Sequence, residues 1–311
     1  MKIIRPLDVT DAMVTASNLT EDEHLPYDAA TTYARGDFAT SLTTHTVYRS
    51  LVDANTGNDP DAEQVAINDP FVTDPNPIHW QVFSATNLWR LFDKKPSVPA
   101  EGTTTVTVAV APGKFIDGVA VFNVSGVETL LVEMKNDGVT VHSVETSMQD
   151  ESIVIDGWSY YFTEILQLPE LVLTGFPPYG SATIEFTFTG GAIKIGQICF
   201  GPIWDIGFVE LGASGFKGLD FSEVGVDEYG NLKTNRRAAT SLHTFDVVLN
   251  TDETLGFRNR MNELRGGVPV VWIGDEDRVK AATSYGFYRS FRSIYSEGDE
   301  TLITIETQGI V

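Results

Sequence analysis

The sequence predicts a mainly β protein with a small N-terminal β module, a central antiparallel, jelly-roll-like β-sandwich and a C-terminal α+β domain. Apolar and polar residues alternate in segments 103–111 and 184–189, and the apolar run 128–134 is followed by Asn136-Asp137-Gly138. Alternation rich in β-branched and aromatic residues is typical of half-buried strands, and Asn-Asp-Gly is typical of a tight hairpin turn. Short strands at close spacing favour a sandwich over a parallel sheet.

The C-terminal part combines helix and strand patterns. Asn250 and Glu253 begin a segment whose apolar residues recur at helical spacing until Gly266-Gly267. This pattern predicts one capped amphipathic helix. Strands are predicted at the following segments: 245–249, 268–273 and 302–306. We expect an α+β domain in which the helix lies on a sheet.

Charge and composition divide the chain into three parts. Residues 1–100 hold 14 acids and 7 bases, residues 101–205 hold 13 and 3, and residues 206–311 hold 16 and 11. The basic residues become scarce after Lys94-Lys95-Pro96-Ser97-Val98-Pro99, a segment typical of a linker or a strand entry. We therefore predict an N-terminal segment at 1–96, a β-sandwich at 97–205 and an α+β assembly domain at 206–311.

The N-terminal segment has a short helix candidate at residues 10–17 and a loop at residues 53–61. That loop places Asp53, Asn55, Asp59 and Asp61 at alternate or near-alternate positions, and oxygen ligands of this kind suit Ca²⁺. The loop departs from the EF-hand pattern because Gly57 occupies the fifth position and no glutamate stands at the twelfth. A solvated turn is the favoured interpretation and a calcium site is the alternative.

No catalytic motif is recognisable. The five histidines are scattered without metal-ligand spacing, and the sequence has no phosphate loop, no dinucleotide-binding glycine pattern and no nucleophile elbow. The single cysteine, Cys199, lies in an apolar run and is interpreted as a buried, inert thiol. The best catalytic candidate is Asp156, because Trp158, Tyr160 and Tyr161 follow it and aromatic rings line many sugar sites. A turn leading into a strand is the favoured alternative, so we predict neither enzymatic activity nor a cofactor.

The formal net charge of -22 opposes binding to nucleic acids and anionic membranes, because phosphate recognition needs a basic face. No apolar run is long enough to cross a bilayer. The first residues lack the apolar stretch of a secretory signal, so we expect the chain to fold in the cytoplasm where it is made.

A pattern of aromatic and turn residues in the first ninety positions resembles the small chitin-binding-type carbohydrate-binding modules of chitinases. Its parts are Tyr33-Ala34-Arg35-Gly36-Asp37-Phe38, Val47-Tyr48-Arg49-Ser50-Leu51, Gly57-Asn58-Asp59-Pro60 and Trp80. The leading tryptophan of that pattern is missing, and Tyr27 stands near its place. Since exposed aromatic rings of such modules stack on sugars, the resemblance makes Tyr33, Tyr48 and Trp80 glycan-binding candidates. The alternative is that these three residues form the core of a small three-stranded unit, and for Trp80 this is the favoured interpretation, because residues 77–79 and 82–83 around it are typical of a packed strand.

A wider resemblance, over about two-thirds of the chain, is to virion tail proteins of tailed bacteriophages. It rests on Val9-Thr10-Asp11-Ala12-Met13, Ser17-Asn18-Leu19-Thr20-Glu21, Ser84-Ala85-Thr86-Asn87-Leu88-Trp89-Arg90-Leu91-Phe92-Asp93, Ala192-Ile193-Lys194-Ile195-Gly196-Gln197-Ile198 and Asp227-Glu228-Tyr229-Gly230-Asn231. Leu88 and Arg90 depart from the pattern common in those proteins.

The wider resemblance implies a structural component of a tail tip or baseplate in the virion. Its partners would be other tail or baseplate proteins and further copies of itself within the particle, and it could also contact a host surface glycan. The alternatives are a glycan-binding receptor protein at the tail tip and a polysaccharide hydrolase.

Overall fold

The computed structural model describes residues 1–68, 77–150, 156–162, 166–210, 212–226, 228–275, 279–295 and 299–310. It is 53% strand and 11% helix, which confirms the prediction of a mainly β fold. The strands are β1 (Lys2–Ile4), β2 (Val14–Ser17), β3 (Phe38–Ser41), β4 (Thr46–Ser50), β5 (Trp80–Ala85), β6 (Ala100–Glu101), β7 (Thr105–Val110), β8 (Gly118–Asn136), β9 (Val139–Ser147), β10 (Gln149–Asp150), β11 (Leu166–Gln167), β12 (Glu170–Thr174), β13 (Thr183–Gly201), β14 (Ile203–Asp205), β15 (Phe208–Val209), β16 (Gly215–Asp220), β17 (Glu223–Val226), β18 (Leu232–Asn235), β19 (Ala239–Asn250), β20 (Val270–Asp275), β21 (Val279–Tyr295) and β22 (Glu300–Gly309). The α-helices are α1 (Pro60–Ile67), α2 (Gly157–Phe162) and α3 (Thr254–Glu263), and short 3-10 helices are at Asp11–Met13, Trp89–Leu91 and Thr251–Glu253. Among the described residues, no helix has the length and apolar character needed to cross a bilayer.

The centre of the chain is a seven-stranded antiparallel sheet in the order β12-β8-β13-β7-β2, with β6 on β13 and β9 on β8. β8 and β13 are both 19 residues long and pair with each other. The first half of β8 also pairs with β12, whereas its second half pairs with β9. Side chains from both halves, such as Val121 and Leu130, enter one core. The two halves therefore enclose that core as a β-sandwich.

The bend in the two long strands lies at glycines and at residues with positive φ. Gly126 in β8 has φ +72°, and a Cβ added to it would lie 2.4 Å from the carbonyl oxygen of Gly191. Asn123 and Ala192 also adopt positive φ, and the β8–β13 register shifts on both sides of Gly190. Glycine allows this conformation and this close approach of two backbones, so local sequence determines where the sheet turns.

A second antiparallel sheet has eight strands in the order β14-β1-β20-β21-β22-β19-β15, with β16 on β19. Neighbouring residues of β20 face opposite sides of it. Trp272 packs with Phe257 of α3, whereas Val271 packs with Phe122 of the sandwich. The sheet is therefore buried between the helix and the sandwich, which explains its apolar residues on both faces.

The strands β3, β4 and β5 form a small antiparallel sheet of their own. Its core consists of Tyr33, Ala39, Tyr48 and Trp80, with Tyr27 packed against them. A turn at Gly36 is followed by β3 and β4, then by a loop and α1, and then by Trp80 at the start of β5; the strand predicted before the turn is replaced by an isolated bridge at Tyr33. We call the residues around this sheet, 21–92, the N-terminal unit.

Strand pairing crosses the boundaries that composition predicts. β1, from the first segment, pairs with β14 and β20 in the C-terminal sheet, and β2 pairs with β7 in the sandwich. β14 precedes the expected boundary after residue 205, yet it also belongs to the C-terminal sheet. Charge composition does not report these short pairings, because each involves only a few residues.

Several local predictions can be compared with the structure. The helix at residues 10–17 is wrong: a single 3-10 turn at Asp11–Met13 leads into β2, where pairing with β7 outweighs helix propensity. The loop at residues 53–61 ends earlier than expected, because α1 begins at Pro60.

The hairpin at Asp137-Gly138 is confirmed, with positive φ at both residues. The C-terminal helix is also confirmed as α3, although the Asn250 side chain makes no capping hydrogen bond.

Candidate functional site

The aromatic residues predicted to stack on sugars are core residues of the N-terminal unit. Tyr33, Tyr48 and Trp80 are 8%, 2% and 0% exposed. The Trp80 ring lies 5.0 Å from the Tyr33 ring, and its Nε1 donates a hydrogen bond to the carbonyl of Asn58 at 2.7 Å. Burial raises the pKa of Tyr48 to about 12. A ring enclosed on both faces offers no surface to a sugar, so the structure corrects the stacking hypothesis for these three residues.

The four oxygen-bearing residues of the calcium hypothesis are used in local hydrogen bonds. Asp53 accepts from the Arg35 amide at 3.0 Å, and Asp59 accepts from the Asp61 amide at 2.9 Å at the start of α1. Asp61 accepts from the hydroxyls of Ser41, Thr44 and Tyr48, while Asn55 is buried and donates to Ser50. Within the described ranges no group of three His, Cys, Asp or Glu could hold a metal ion. These hydrogen bonds account for the four residues as parts of a turn, but the buried Asn55 shows that the turn is less solvated than predicted.

The outer face of the small sheet carries an aromatic cluster that sequence reasoning missed. The His24 ring stacks on Phe38 at 4.7 Å, and Phe38 meets the Phe83 ring edge-on at 4.9 Å. Phe83 is 57% exposed, and the exposed Arg49 lies opposite Phe38 in the neighbouring strand. Rings beside a hydrogen-bond donor can contact a sugar or an apolar side chain. The sequence signal for this cluster was the alternation of side chains along β3. Because Ala39 is buried, its neighbour Phe38 lies on the opposite face of the sheet.

Asp156, the catalytic candidate, lies at the surface just before α2. The following aromatic residues Trp158, Tyr161 and Phe162 are 72%, 79% and 69% exposed, and the Trp158 and Phe162 rings lie 4.2 Å apart. A glycosidase carboxyl acts in a cleft beside a second carboxyl, whereas Asp156 is exposed in the bend that precedes a short helix. The arrangement is an exposed aromatic patch rather than an enclosed acid site.

A groove of about 450 Å³ between the sandwich and the C-terminal sheet contains a serine–histidine pair. The Ser241 hydroxyl lies 2.8 Å from His243 Nε2, and alternation in β19 puts both side chains on one face. Burial lowers the pKa of His243, and burial raises the pKa of Glu170 in the same groove to about 7. In the part of the chain that the structure describes, no carboxylate hydrogen-bonds to His243. The pair therefore lacks the acid that orients the base in a catalytic triad.

A β-hairpin projects from the edge of the C-terminal sheet. The chain runs from β16 through β17 and β18 to β19. Among the described strands, β17 and β18 pair only with each other. All residues of β17 and β18 are exposed, and Val224, Val226 and Leu232 are each 68–70% exposed. We call residues 221–238 the arm. An isolated two-stranded hairpin is at best marginally stable in water, so the arm is suited to a partner that covers it.

Comparisons with known proteins give no further guide. No family model, no curated protein and no solved structure matches the chain. Function must therefore be inferred from the geometry of the described residues and from the sequence patterns.

Proposed function

We propose that this chain is a structural subunit of a bacteriophage tail tip or baseplate and that it binds neighbouring subunits through the arm. The observation that carries the proposal is the arm, a hairpin whose apolar residues are exposed and whose two strands pair only with each other among the described strands. Exposed apolar surface of this kind marks a protein–protein contact more often than a solvent-facing one. The resemblance to virion tail proteins gives the setting.

The remainder of the chain suits a rigid subunit. The C-terminal sheet shares a core with the sandwich, with Phe122 and Cys199 on one side and Val271 and Tyr285 on the other. β1 ties the start of the chain into the same sheet. A rigid body with a projecting arm can hold neighbouring subunits at fixed spacing.

Particle incorporation tests the proposal. Replacing residues 222–237 by Asn-Gly would join Phe221 to Ala238, which are already linked by a backbone hydrogen bond of 3.2 Å. The shortened hairpin retains a favourable turn sequence, so the body should fold. We expect the wild-type chain in purified phage particles by mass spectrometry and the shortened chain to be absent from them.

A matched pair of point variants separates the arm from exposed apolar surface in general. Leu232→Asn alters the arm, and Leu25→Asn alters the N-terminal unit at a residue that is 83% exposed. We expect reduced incorporation for the first variant and unchanged incorporation for the second. Wild-type particles that lack the chain would refute the proposal.

We further propose that the chain has no hydrolytic activity of its own, because the sequence contains no recognisable catalytic motif and Asp156 is exposed rather than enclosed in a cleft. Purified protein incubated with peptidoglycan, chitin and host surface polysaccharide should release no product. Product release that Asp156→Asn abolishes would overturn this part of the proposal.

The aromatic cluster of His24, Phe38 and Phe83 favours a second candidate function, binding of a host glycan. Phe83 is exposed, His24 and Phe38 are half-buried, and Arg49 lies opposite Phe38 in the sheet, so an aromatic surface lies near a hydrogen-bond donor. Retention of the full chain on chitin beads and on host polysaccharide tests it. Retention that Phe83→Ala removes, with unchanged thermal unfolding, would establish glycan binding at this face.

A further inference from the structure

The second half of the arm is base-rich, although the arm as a whole holds three acids and three bases. Residues 232–238 include Lys233, Arg236 and Arg237 and no acid, although the whole chain has a net charge of -22. All three side chains are exposed, and Arg237 also pairs with Glu223 across the arm at 2.6 Å. β18 has no partner on its outer edge within the described residues. The arm therefore offers an unpaired strand edge beside positive charge.

β9 offers a complementary edge on the sandwich. It is nine residues long and pairs with β8, and no described strand pairs with its outer edge. Natural edge strands are commonly protected by lysine, proline or bulges. β9 has no lysine or proline and one charged residue, Glu145, and its single register shift relative to β8 lies near its start, between Thr140 and His142. Residues 128–150 carry five acids and one base, so the surroundings of β9 are acidic. An open, acidic strand edge fits a basic strand.

We propose that β18 of one copy pairs edge to edge with β9 of a second copy. The inference rests on the proposed function for its setting, a particle in which copies lie side by side. Both unpaired edges belong to this chain, and their charges are opposite, which identifies a second copy as the occupant. Apolar side chains of the arm, such as Leu232, would be covered at the same time, as would Val139, which is 65% exposed at the start of β9.

The contact joins two different surfaces, so it is heterologous. A second copy that receives an arm at β9 still presents its own arm to a third copy. Contacts of this kind close into a ring or continue as a helical array, depending on the rotation between copies. The inference therefore gives the proposed assembly a head-to-tail geometry.

Site-directed cross-linking of the full chain tests the contact. Cys199 is buried and burial raises the pKa of its thiol, so it should not compete with introduced cysteines. Thr234→Cys places a thiol on β18, Ser143→Cys places one on β9, and both positions are exposed. The two purified variants are mixed at high concentration and low salt and treated with a short bismaleimide. Leu25→Cys mixed with Thr234→Cys is the matched control.

We expect covalent dimers in the Thr234→Cys and Ser143→Cys mixture at several-fold the level of the control, with little product from either variant alone. The chain carrying both cysteines should give a ladder of oligomers. About 0.5 M NaCl should suppress the product, because it screens charges beyond a few ångströms.

Charge reversal at the two arginines after β18, Arg236→Glu with Arg237→Glu, should reduce cross-linking, and Glu145→Lys in the partner should restore part of it. Product at the control level in the mixture would overturn the inference. So would dimers formed mainly by Thr234→Cys alone, since those would place two arms against each other. Particle incorporation is read separately, so failure of this contact and failure of the proposed function give different results.

Discussion

Trp80 and Phe83 lie three positions apart in β5, and their environments are opposite. Trp80 is fully buried and its indole donates to the Asn58 carbonyl, whereas Phe83 is 57% exposed. Burial of a large ring contributes to stability, and an exposed ring contributes little. The two residues therefore form a matched pair for separating a core role from a surface role.

Trp80→Ala should lower the free energy of unfolding of the N-terminal unit by about 3–5 kcal/mol, because it leaves a cavity and an unpaired carbonyl. Phe83→Ala should change it by about 0.5 kcal/mol or less. Calorimetric unfolding of both full-length variants measures the difference. Equal and small effects would show that Trp80 is not a core residue in solution.

Glu170 has an unusual environment in the groove between the sandwich and the C-terminal sheet. Burial raises its pKa from 4.5 to about 7. A carboxyl that binds its proton more tightly when folded stabilises the fold below pH 4.5, and that contribution is lost as pH rises through 7. Stability should therefore decline between these values for this reason.

Glu170→Gln should stabilise the protein relative to wild type by about 1–2 kcal/mol at pH 8 and by much less at pH 5. The full shift would give roughly 3 kcal/mol, but solvent in the groove reduces it. Urea unfolding at both pH values provides the measurement, with the exposed Glu145→Gln as control. A difference between wild type and Glu170→Gln that is the same at both pH values would contradict the assigned cause.

The sequence predicts which residue types could act, but not which side of a strand they occupy when a register shift intervenes. The residues around Trp80 favoured a core from sequence alone, whereas Tyr48 fitted both a core and a sugar platform. A shift between Val47 and Tyr48 in the pairing of β4 with β5 helps to decide which side chains point inwards. Asp61 was a calcium candidate because of its spacing from the other oxygen-bearing residues of the loop. Its three hydroxyl donors are distant in sequence, so spacing could not identify them.

At the scale of elements, the bend of the sandwich depends on Gly126. Gly126 and Gly138 have similar positive φ values, +72° and +79°, but different surroundings. A Cβ at Gly126 would lie 2.4 Å from the Gly191 oxygen, whereas a Cβ at Gly138 would meet nothing within 4 Å. Substituting each glycine in turn therefore separates the energetic cost of close backbone approach from the cost of a left-handed backbone conformation.

Gly138→Ala should cost about 1–2 kcal/mol from the left-handed backbone alone. Gly126→Ala should cost at least about 3 kcal/mol, because β8 and β13 must also move apart. Chemical denaturation of both variants measures the two costs. Equal costs would show that the bend can relax without loss of packing.

Strand patterns succeeded where one strand has one buried face, as in β7 and in the first half of β13. They also succeeded at the Asp137-Gly138 hairpin, where turn chemistry is local. They failed at Val14–Ser17, whose strand conformation depends on pairing with β7 more than 90 residues away. The arm was not predicted either, because a strand exposed on both faces leaves no burial pattern.

At the scale of the whole molecule, layers of sheet and helix share apolar cores and leave the arm outside them. The net charge of -22 opposes contact between copies except where bases cluster. The arm supplies both such a cluster and exposed apolar side chains. We therefore expect copies to assemble through the arm rather than through the rest of the chain.

Hydrogen–deuterium exchange of residues 223–235 tests this central claim most directly. In the isolated chain these amides should exchange rapidly, because a lone hairpin opens readily. In purified particles the same amides should exchange at least about 100-fold more slowly, as expected for covered strands. Equally fast exchange of the arm in both states, with protection gained elsewhere in the chain, would contradict the account.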